Sequence, residues 1–346
     1  MFENKERTDI NELGEFGLIR HLTDHFEIKN EQSVKGIGDD AAVIDANGKQ
    51  ILVSTDLLLE GIHFDLAYVP LVHLGYKAVQ VNLSDIYAMN GVASQITVSL
   101  GLSSKFPLEA VEEIYKGIEL ACKKYNVDVI GGDTSSSKQG LVISITSIGY
   151  ADADKVVYRN GAQEHDLLCV SGDLGGAYLG LQILEREKLI YLENPQIQPD
   201  LEGKDYIIER QLKPEARRDI VALLADMDIK PTSMIDVSDG LASEILHLAS
   251  QSDKGITIYE EKIPLDPMTY ETARELGLDP TVCALSGGED YELLFTISQE
   301  DYKKLKHDVD ITVIGHVTDK NSGCKMISKS EKVHELKAQG WNAFKK

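Results

Sequence analysis

Aspartates recur in this chain beside glycine, serine and threonine where apolar runs begin or end, and that pattern points to metal-assisted phosphate chemistry. Asp39 and Asp40 precede the apolar run 41–44, while Ser54, Thr55 and Asp56 close the run that starts at Ile51. Asn47-Gly48 lies between the two runs and signals a hairpin. In an antiparallel pair those two ends are neighbours, so Asp39, Asp40 and Asp56 are expected to meet. Clustered carboxylates raise one another's pKa unless a cation joins them. Oxygen donors with hydroxyls beside them suit Mg²⁺ or Mn²⁺ rather than zinc. Turn chemistry alone would account for Gly38-Asp39-Asp40; Ser54-Thr55-Asp56 opposite it favours the metal.

Further acids sit at similar junctions. Asn82 and Asp85 are three apart on a mostly apolar helix and share a face. Gly131-Gly132-Asp133-Thr134 follows a short apolar run, where glycines let a backbone approach phosphate. Gly172 to Gly176 joins a strand to a helix and is either a plain turn or an anion cradle at a helix N-terminus. Asp236 and Asp239 flank a strand-to-helix junction with Ser238 between them; capping explains one of these acids but not both. Ser286-Gly287-Gly288-Glu289-Asp290 precedes another apolar run. A carboxylate-rich site between two halves of the chain, holding several Mg²⁺ against a polyphosphate, is the economical account.

The elements that must position these residues follow from periodicity. Helices are expected at 15–25, 74–90, 107–125, 176–188, 214–226, 241–252 and 269–276; 107–125 is the best marked, with apolar residues at spacings of three and four. Strands are expected at 95–100, 127–130, 141–149, 167–171, 233–237, 255–259, 291–297 and 311–316, with 190–205 as a loop. Leu83-Ser84-Asp85-Ile86 faintly echoes Val237-Ser238-Asp239-Gly240, so two related halves are conceivable. The length of 346 residues also suggests two domains, 1–150 and 151–346, with the polar stretch 151–155 as boundary. The fold class expected is α/β (α+β), mixed sheets flanked by helices.

Composition bounds the partners. With 35 Lys and Arg against 57 Asp and Glu, the formal net charge is −22, which argues against nucleic acid and against an anionic membrane surface. No apolar run is long enough to span a bilayer, and the charged residues 1–9 do not resemble a signal peptide, so a cytoplasmic location is expected. Cys122, Cys169, Cys283 and Cys324 are dispersed, which suits reduced thiols rather than a zinc site, with Cys122 and Cys169 expected in the core.

The runs Gly36-Ile-Gly-Asp-Asp40, Ser54-Thr-Asp56, Gly61-Ile-His63-Phe64, Val81-Asn-Leu-Ser-Asp85, Gly131-Gly-Asp-Thr134, Asp236-Val-Ser-Asp-Gly240 and Leu285-Ser-Gly-Gly-Glu-Asp-Tyr-Glu-Leu293 together resemble the thiamine-monophosphate kinase family, in that family's order and over nearly the whole chain. The resemblance implies the two-domain fold shared with aminoimidazole ribonucleotide synthetase, a homodimer paired through N-terminal strands, and transfer of the ATP γ-phosphoryl group to thiamine monophosphate. It further implies that Asp39, Ser54, Thr55, Asp56, Asp85, Asp133, Asp236 and Asp239 hold Mg²⁺. Tyr115, Gly132, Asp133, Arg159 and Ser238 would contact ATP, and His63, Glu289 and Trp341 the thiamine substrate. The chain departs from the family at Gly340-Trp-Asn-Ala-Phe344, usually Gly-Trp-Asp-His-Phe, and at Arg159-Asn160, usually Arg-Ser. Rival expectations are another ATP-using synthetase of this fold and a non-catalytic metal- or nucleotide-binding protein. A selenophosphate synthetase would need a reactive cysteine in the N-terminal Gly-rich region, yet none precedes Cys122.

Overall fold

The computed structural model describes residues 33–35, 38–46, 48–103, 106–305 and 310–338. The helix expected at 15–25 and Trp341 lie outside them.

Alternation of apolar and polar residues builds the first sheet from β1 (Ser33–Lys35), β2 (Ala42–Asp45), β3 (Lys49–Leu59), β4 (Val92–Leu102), β5 (Asp128–Ser136) and β6 (Val142–Asp152), in the order β1-β2-β3-β6-β4-β5. The expected hairpin is β2–β3, with Ala42 opposite Val53 and Asp45 opposite Gln50. One face carries Leu52 and Leu58, both buried, and packs against α1 (Leu71–Ala88). Next to α1 lies α2 (Leu108–Tyr125). The two helices cross closely: a Cβ on Gly75 would stand 1.9 Å from the Ile114 carbonyl oxygen, and one on Gly117 1.9 Å from that of Val72.

The second sheet contains β7 (Leu167–Ser171), β8 (Ser233–Asp236), β9 (Gly255–Tyr259), β10 (Leu293–Ile297), β11 (Ile311–Thr318), β12 (Cys324–Ile327) and β13 (Val333–Glu335), in the order β13-β12-β9-β11-β7-β10-β8. Its pairs are antiparallel except β12 with β9, so this is a mixed sheet. Helices α3 (Gly176–Glu193), α4 (Asp205–Leu212), α5 (Arg218–Asp226), α6 (Leu241–Ser252), α7 (Pro267–Glu275) and α8 (Pro280–Ser286) accompany it.

Several expectations need correction. The stretch 190–205 is not all loop, because α3 runs to Glu193, and α4 begins at Asp205. The helix expected from residue 214 starts at Arg218, since 213–217 is bound up in contacts with the first half. Residues 131–133 lie inside β5, not in a loop after it, and a Cβ at Gly132 would meet the Val98 carbonyl oxygen at 1.8 Å. That glycine serves strand pairing. Cys122 and Cys169 are buried, as expected.

Fourteen of the eighteen residues of α1 are buried. A helix covered on all sides lies between layers, and the polar residues that interrupt it reach across to the second half. Gln80 Oε1 accepts from the Ala216 N–H at 2.9 Å, and Ser84 Oγ donates to Asp236 Oδ2 at 2.6 Å. The Glu215 carboxylate accepts the hydroxyls of Tyr76 and Tyr125, each at 2.7 Å. These contacts hold the two sheets in one register around α1.

Candidate active site

Three carboxylates from distant parts of the chain converge beside α1. Asp40 comes from the turn before β2, Asp85 from α1 and Asp236 from the end of β8, and an oxygen of each lies within 4.8 Å of the others. Asp40 and Asp236 are buried and Asp85 is half-buried. Ser54 donates to Asp85, Ser84 to Asp236, and Arg159 Nε to Asp40 at 2.7 Å. The Arg159 backbone N–H donates to Asp39 Oδ1 at 3.0 Å, and Lys35 Nζ stands 3.5 Å from Asp39 Oδ2. Asn82 fixes the adjoining strand by accepting the Asp56 N–H at 2.9 Å.

The electrostatics are those of a site short of positive charge. Burial and then the charge of Asp40 push Asp236 up to about 8. Burial raises Asp56 to about 6, and burial with the charges of Asp56 and Asp236 raises Asp85 well above the carboxylate range. Asp40 Oδ1 is buried, and among the described residues no hydrogen-bond donor faces it. An all-oxygen donor set with an unpartnered buried carboxylate oxygen fits a hard divalent cation such as Mg²⁺.

Raised carboxyl pKa values make the metal-free fold weaker as pH climbs from about 4 to about 8, because the folded state retains protons that the unfolded chain releases. Cation binding then competes with fewer protons. The stabilisation by Mg²⁺ in a thermal melt should therefore be larger at about pH 8.5 than at about pH 6. Equal shifts at the two pH values would show that these acids do not take up the ion.

The remaining candidates divide between places. Asp239 adjoins the cluster, its backbone N–H bonded to Glu244 Oε1 at 3.0 Å. Thr55 and Asp133 do not join it, because alternate residues of a strand face opposite ways. Ser54 and Asp56 lie on the side of α1, whereas Thr55 is exposed on the other side of the sheet, where Thr146 donates to its Oγ1 at 3.1 Å. Asp133 pairs with Ser99, then Ser144, then Leu57, on that same open side. It stands three strand spacings from β3, roughly 14 Å. Tyr115 lines a cavity of about 490 Å³ with Cys122, Asn126 and Val129 at the β5 edge.

A second constellation adjoins the first. Glu289 N–H donates to the Ser238 carbonyl at 2.7 Å and Tyr291 N–H to that of Val237 at 2.8 Å, zipping the Gly287–Tyr291 turn onto the end of β8. Glu289 and Tyr291 both have left-handed backbones, with φ of 58° and 52°. Burial and then the charge of Glu289 hold the Tyr291 phenol protonated, with Asp56, Asp236 and Asp239 contributing. His63 is half-buried, its Nδ1 accepting the Leu59 N–H at 3.0 Å.

The acids of the 285–293 run take different roles. Asp290 accepts the Gly175 N–H at 2.8 Å and the Ala177 N–H at 3.4 Å. The N-terminus of α3 is thus occupied by an internal carboxylate, which settles Gly172 to Gly176 as structural. Glu292, also buried, accepts Ser171 Oγ at 2.6 Å, Arg210 Nη1 at 2.8 Å and Arg217 Nη1.

Residues that sequence reasoning missed include Lys77, Gln211 and Glu244. The only signal for Lys77 was a charged residue inside an apolar helix; Gln211 and Glu244 carried none.

Comparison with known proteins bears on the family and the fold. Residues 38–151 match the N-terminal domain of AIR synthase related proteins and residues 163–325 the C-terminal domain. The chain is 35% identical to the thiamine-monophosphate kinase of Bacillus subtilis, with 96% of this chain and all of that protein covered. It is 35% identical to that of Aquifex aeolicus, covering 97% and 99%. The structure of AaThiL complexed with AMPPCP and TMP superposes with a TM-score of 0.82 at 32% identity, covering 98% of this chain and 100% of that one. Full-length similarity at this level means that the chain belongs to the thiamine-monophosphate kinase family of AIR synthase related proteins.

Proposed function

We propose that this protein transfers the γ-phosphoryl group of ATP in line to thiamine monophosphate, giving thiamine diphosphate, in a Mg²⁺-dependent reaction. The observation that carries the proposal is the convergence of Asp40, Asp85 and Asp236 from three separate segments, in a chain of this family. Asp39, Asp40, Ser54, Asp56, Asp85, Asp236 and Asp239 would hold Mg²⁺ from one side. Bound divalent cations would neutralise the oxygens of two polyanions that otherwise repel.

The accepting phosphate is already an anion and needs no strong base. The protein's task is alignment and charge compensation. Arg159, held by Asp40, would meet nucleotide phosphate, together with Ser238 just past the end of β8. Glu289 and His63 would receive the thiamine portion. Trp341, outside the described residues, would stack on the cationic thiazolium.

Thr55, Gly132, Asp133 and Tyr115 would be completed as metal and ATP contacts in a homodimer assembled on the N-terminal sheet. The fully exposed β5, with Val129 and Ile130 bare to solvent, supports that assembly. Residues 1–150 and 151–346 would act as its two domains. A cytoplasmic location is in keeping with this reaction; among the described residues, no helix is long and apolar enough to cross a membrane.

The test is incubation of the purified protein with ATP and thiamine monophosphate, with and without Mg²⁺, followed by chromatography for thiamine diphosphate. Product only with Mg²⁺ is expected, and absence of product in both sinks the reading. Glu289→Gln should raise KM for thiamine monophosphate roughly tenfold, with KM for ATP nearly unchanged. A rise of equal size for both substrates would remove Glu289 from the acceptor pocket. ATP binding without turnover would favour a non-catalytic nucleotide-binding protein.

A further inference from the structure

We propose that Lys77 is a specificity-determining positioning residue, which anchors Glu289 as a fixed hydrogen-bond acceptor and keeps His63 in the tautomer that donates from Nε2. The inference rests on the acceptor pocket being the one described above, and it concerns a residue within α1 that faces no metal ligand.

Lys77 is only 3% exposed. A buried ammonium is costly unless it is paired. Its Nζ lies 3.0 Å from Glu289 Oε1 and donates to the Gln211 carbonyl at 3.0 Å. Gln211 in turn donates from Nε2 to Glu289 Oε2 at 2.7 Å. Each carboxylate oxygen of Glu289 is therefore held by one donor, and the backbone is held to Ser238. A carboxylate oxygen has two acceptor sites, so each keeps one for a ligand, and the Glu289 side chain remains 26% exposed.

His63 completes the logic. Its Nδ1 accepts a backbone N–H, so it carries no proton, and in the neutral ring the proton lies on Nε2. Burial lowers the His63 pKa; the charge of Glu289 acts against it and that of Lys77 with it, so the ring stays neutral more readily. Without Lys77, a mobile and uncompensated Glu289 would favour imidazolium, and a protonated Nδ1 would break the Leu59 bond.

The pair so fixed, a carboxylate acceptor and an imidazole N–H donor, suits a heteroaromatic ring with an exocyclic amine beside a ring nitrogen. The aminopyrimidine of thiamine has that chemistry.

The test uses Lys77→Met, which fills the same space without the charge, together with Glu289→Gln and the double variant. Lys77→Met should raise KM for thiamine monophosphate roughly tenfold, with kcat and KM for ATP within about twofold of wild type. In the Glu289→Gln background the same change should add less than about twofold, since Lys77 acts through Glu289. An unchanged KM, or an equal penalty in both backgrounds, overturns the inference. Should Lys77→Met fail to fold, Gln211→Leu removes the other anchor of Glu289 and should give the same split in KM; an unchanged KM there counts against the inference. Calorimetric binding of thiamine monophosphate makes the comparison without turnover. A wild type that binds but forms no product rejects the proposed reaction, while the affinity of Lys77→Met still decides the role of Lys77.

Discussion

Replacing Asp85 by asparagine is expected to lower kcat/KM by roughly a thousandfold while making the metal-free protein harder to melt. Both effects have one cause. Burial first, and then the charges of Asp56, Asp236 and Asp40 crowded around it, raise the pKa of Asp85. Removing one charge relieves repulsion in the absence of a cation. The amide keeps one oxygen but loses the charge that a divalent ion needs, and a site of this kind contributes several kcal/mol of transition-state stabilisation. Steady-state kinetics over a Mg²⁺ titration and thermal melts with and without the ion check the two halves. Near-normal activity at limiting Mg²⁺, or a metal-free variant that melts earlier than wild type, would refute the assignment. Such trade-offs between stability and activity are usual where a site stores repulsion.

The second large effect is structural. Glu292→Ala should destabilise the protein by about 3–5 kcal/mol, because it removes the buried carboxylate that Arg210 and Arg217 share. Arg217 also pairs with Asp219 and Asp310, at 2.8 and 2.9 Å, and Arg210 bonds the carbonyl oxygens of Asp173 and Asp290 at 2.9 and 3.2 Å. Besides Glu292, the carboxylate paired with Arg210 is Asp290, at the longer distance of 3.7 Å. Urea unfolding measures the loss directly. A loss below about 1 kcal/mol would mean that the network relaxes around the gap. Glu289→Gln, three residues away in the same run, should cost well under the loss expected for Glu292→Ala, since its side chain is partly exposed, its amide oxygen can still accept from Lys77, and Lys77 keeps the Gln211 carbonyl. One short acidic run thereby separates into a partly exposed carboxylate, the one proposed to meet ligand, and two buried in the architecture.

The hairpin shows how far sequence could go. Asn47-Gly48, the flanking apolar runs and the acids beside them specify an antiparallel pair, and the pairing of Ala42 with Val53 places Asp40 level with Thr55, between Ser54 and Asp56 in the middle of β3, which runs on to Leu59. Helix α6 and strand β9 were likewise legible at their boundaries, because periodicity, a Gly start and a polar stop all agree there. Asn82 and Asp85 were visible as polar interruptions of an apolar helix.

What sequence alone determined was the kind of chemistry, through the types and local spacing of the acids, and most of the strands and helices, through periods of 2 and 3.6. Tertiary structure decided which acids meet. Ser84 and Asp236 are 152 positions apart in the chain, yet their side chains touch. Thr55 and Asp56 are adjacent in sequence but sit on opposite sides of one sheet. The buried lysine beside Glu289 and the carboxylate over the N-terminus of α3 are likewise products of long-range packing. Local propensity acts over a few residues, whereas charge, burial and hydrogen-bond partners depend on whichever segments the fold brings within a few ångströms.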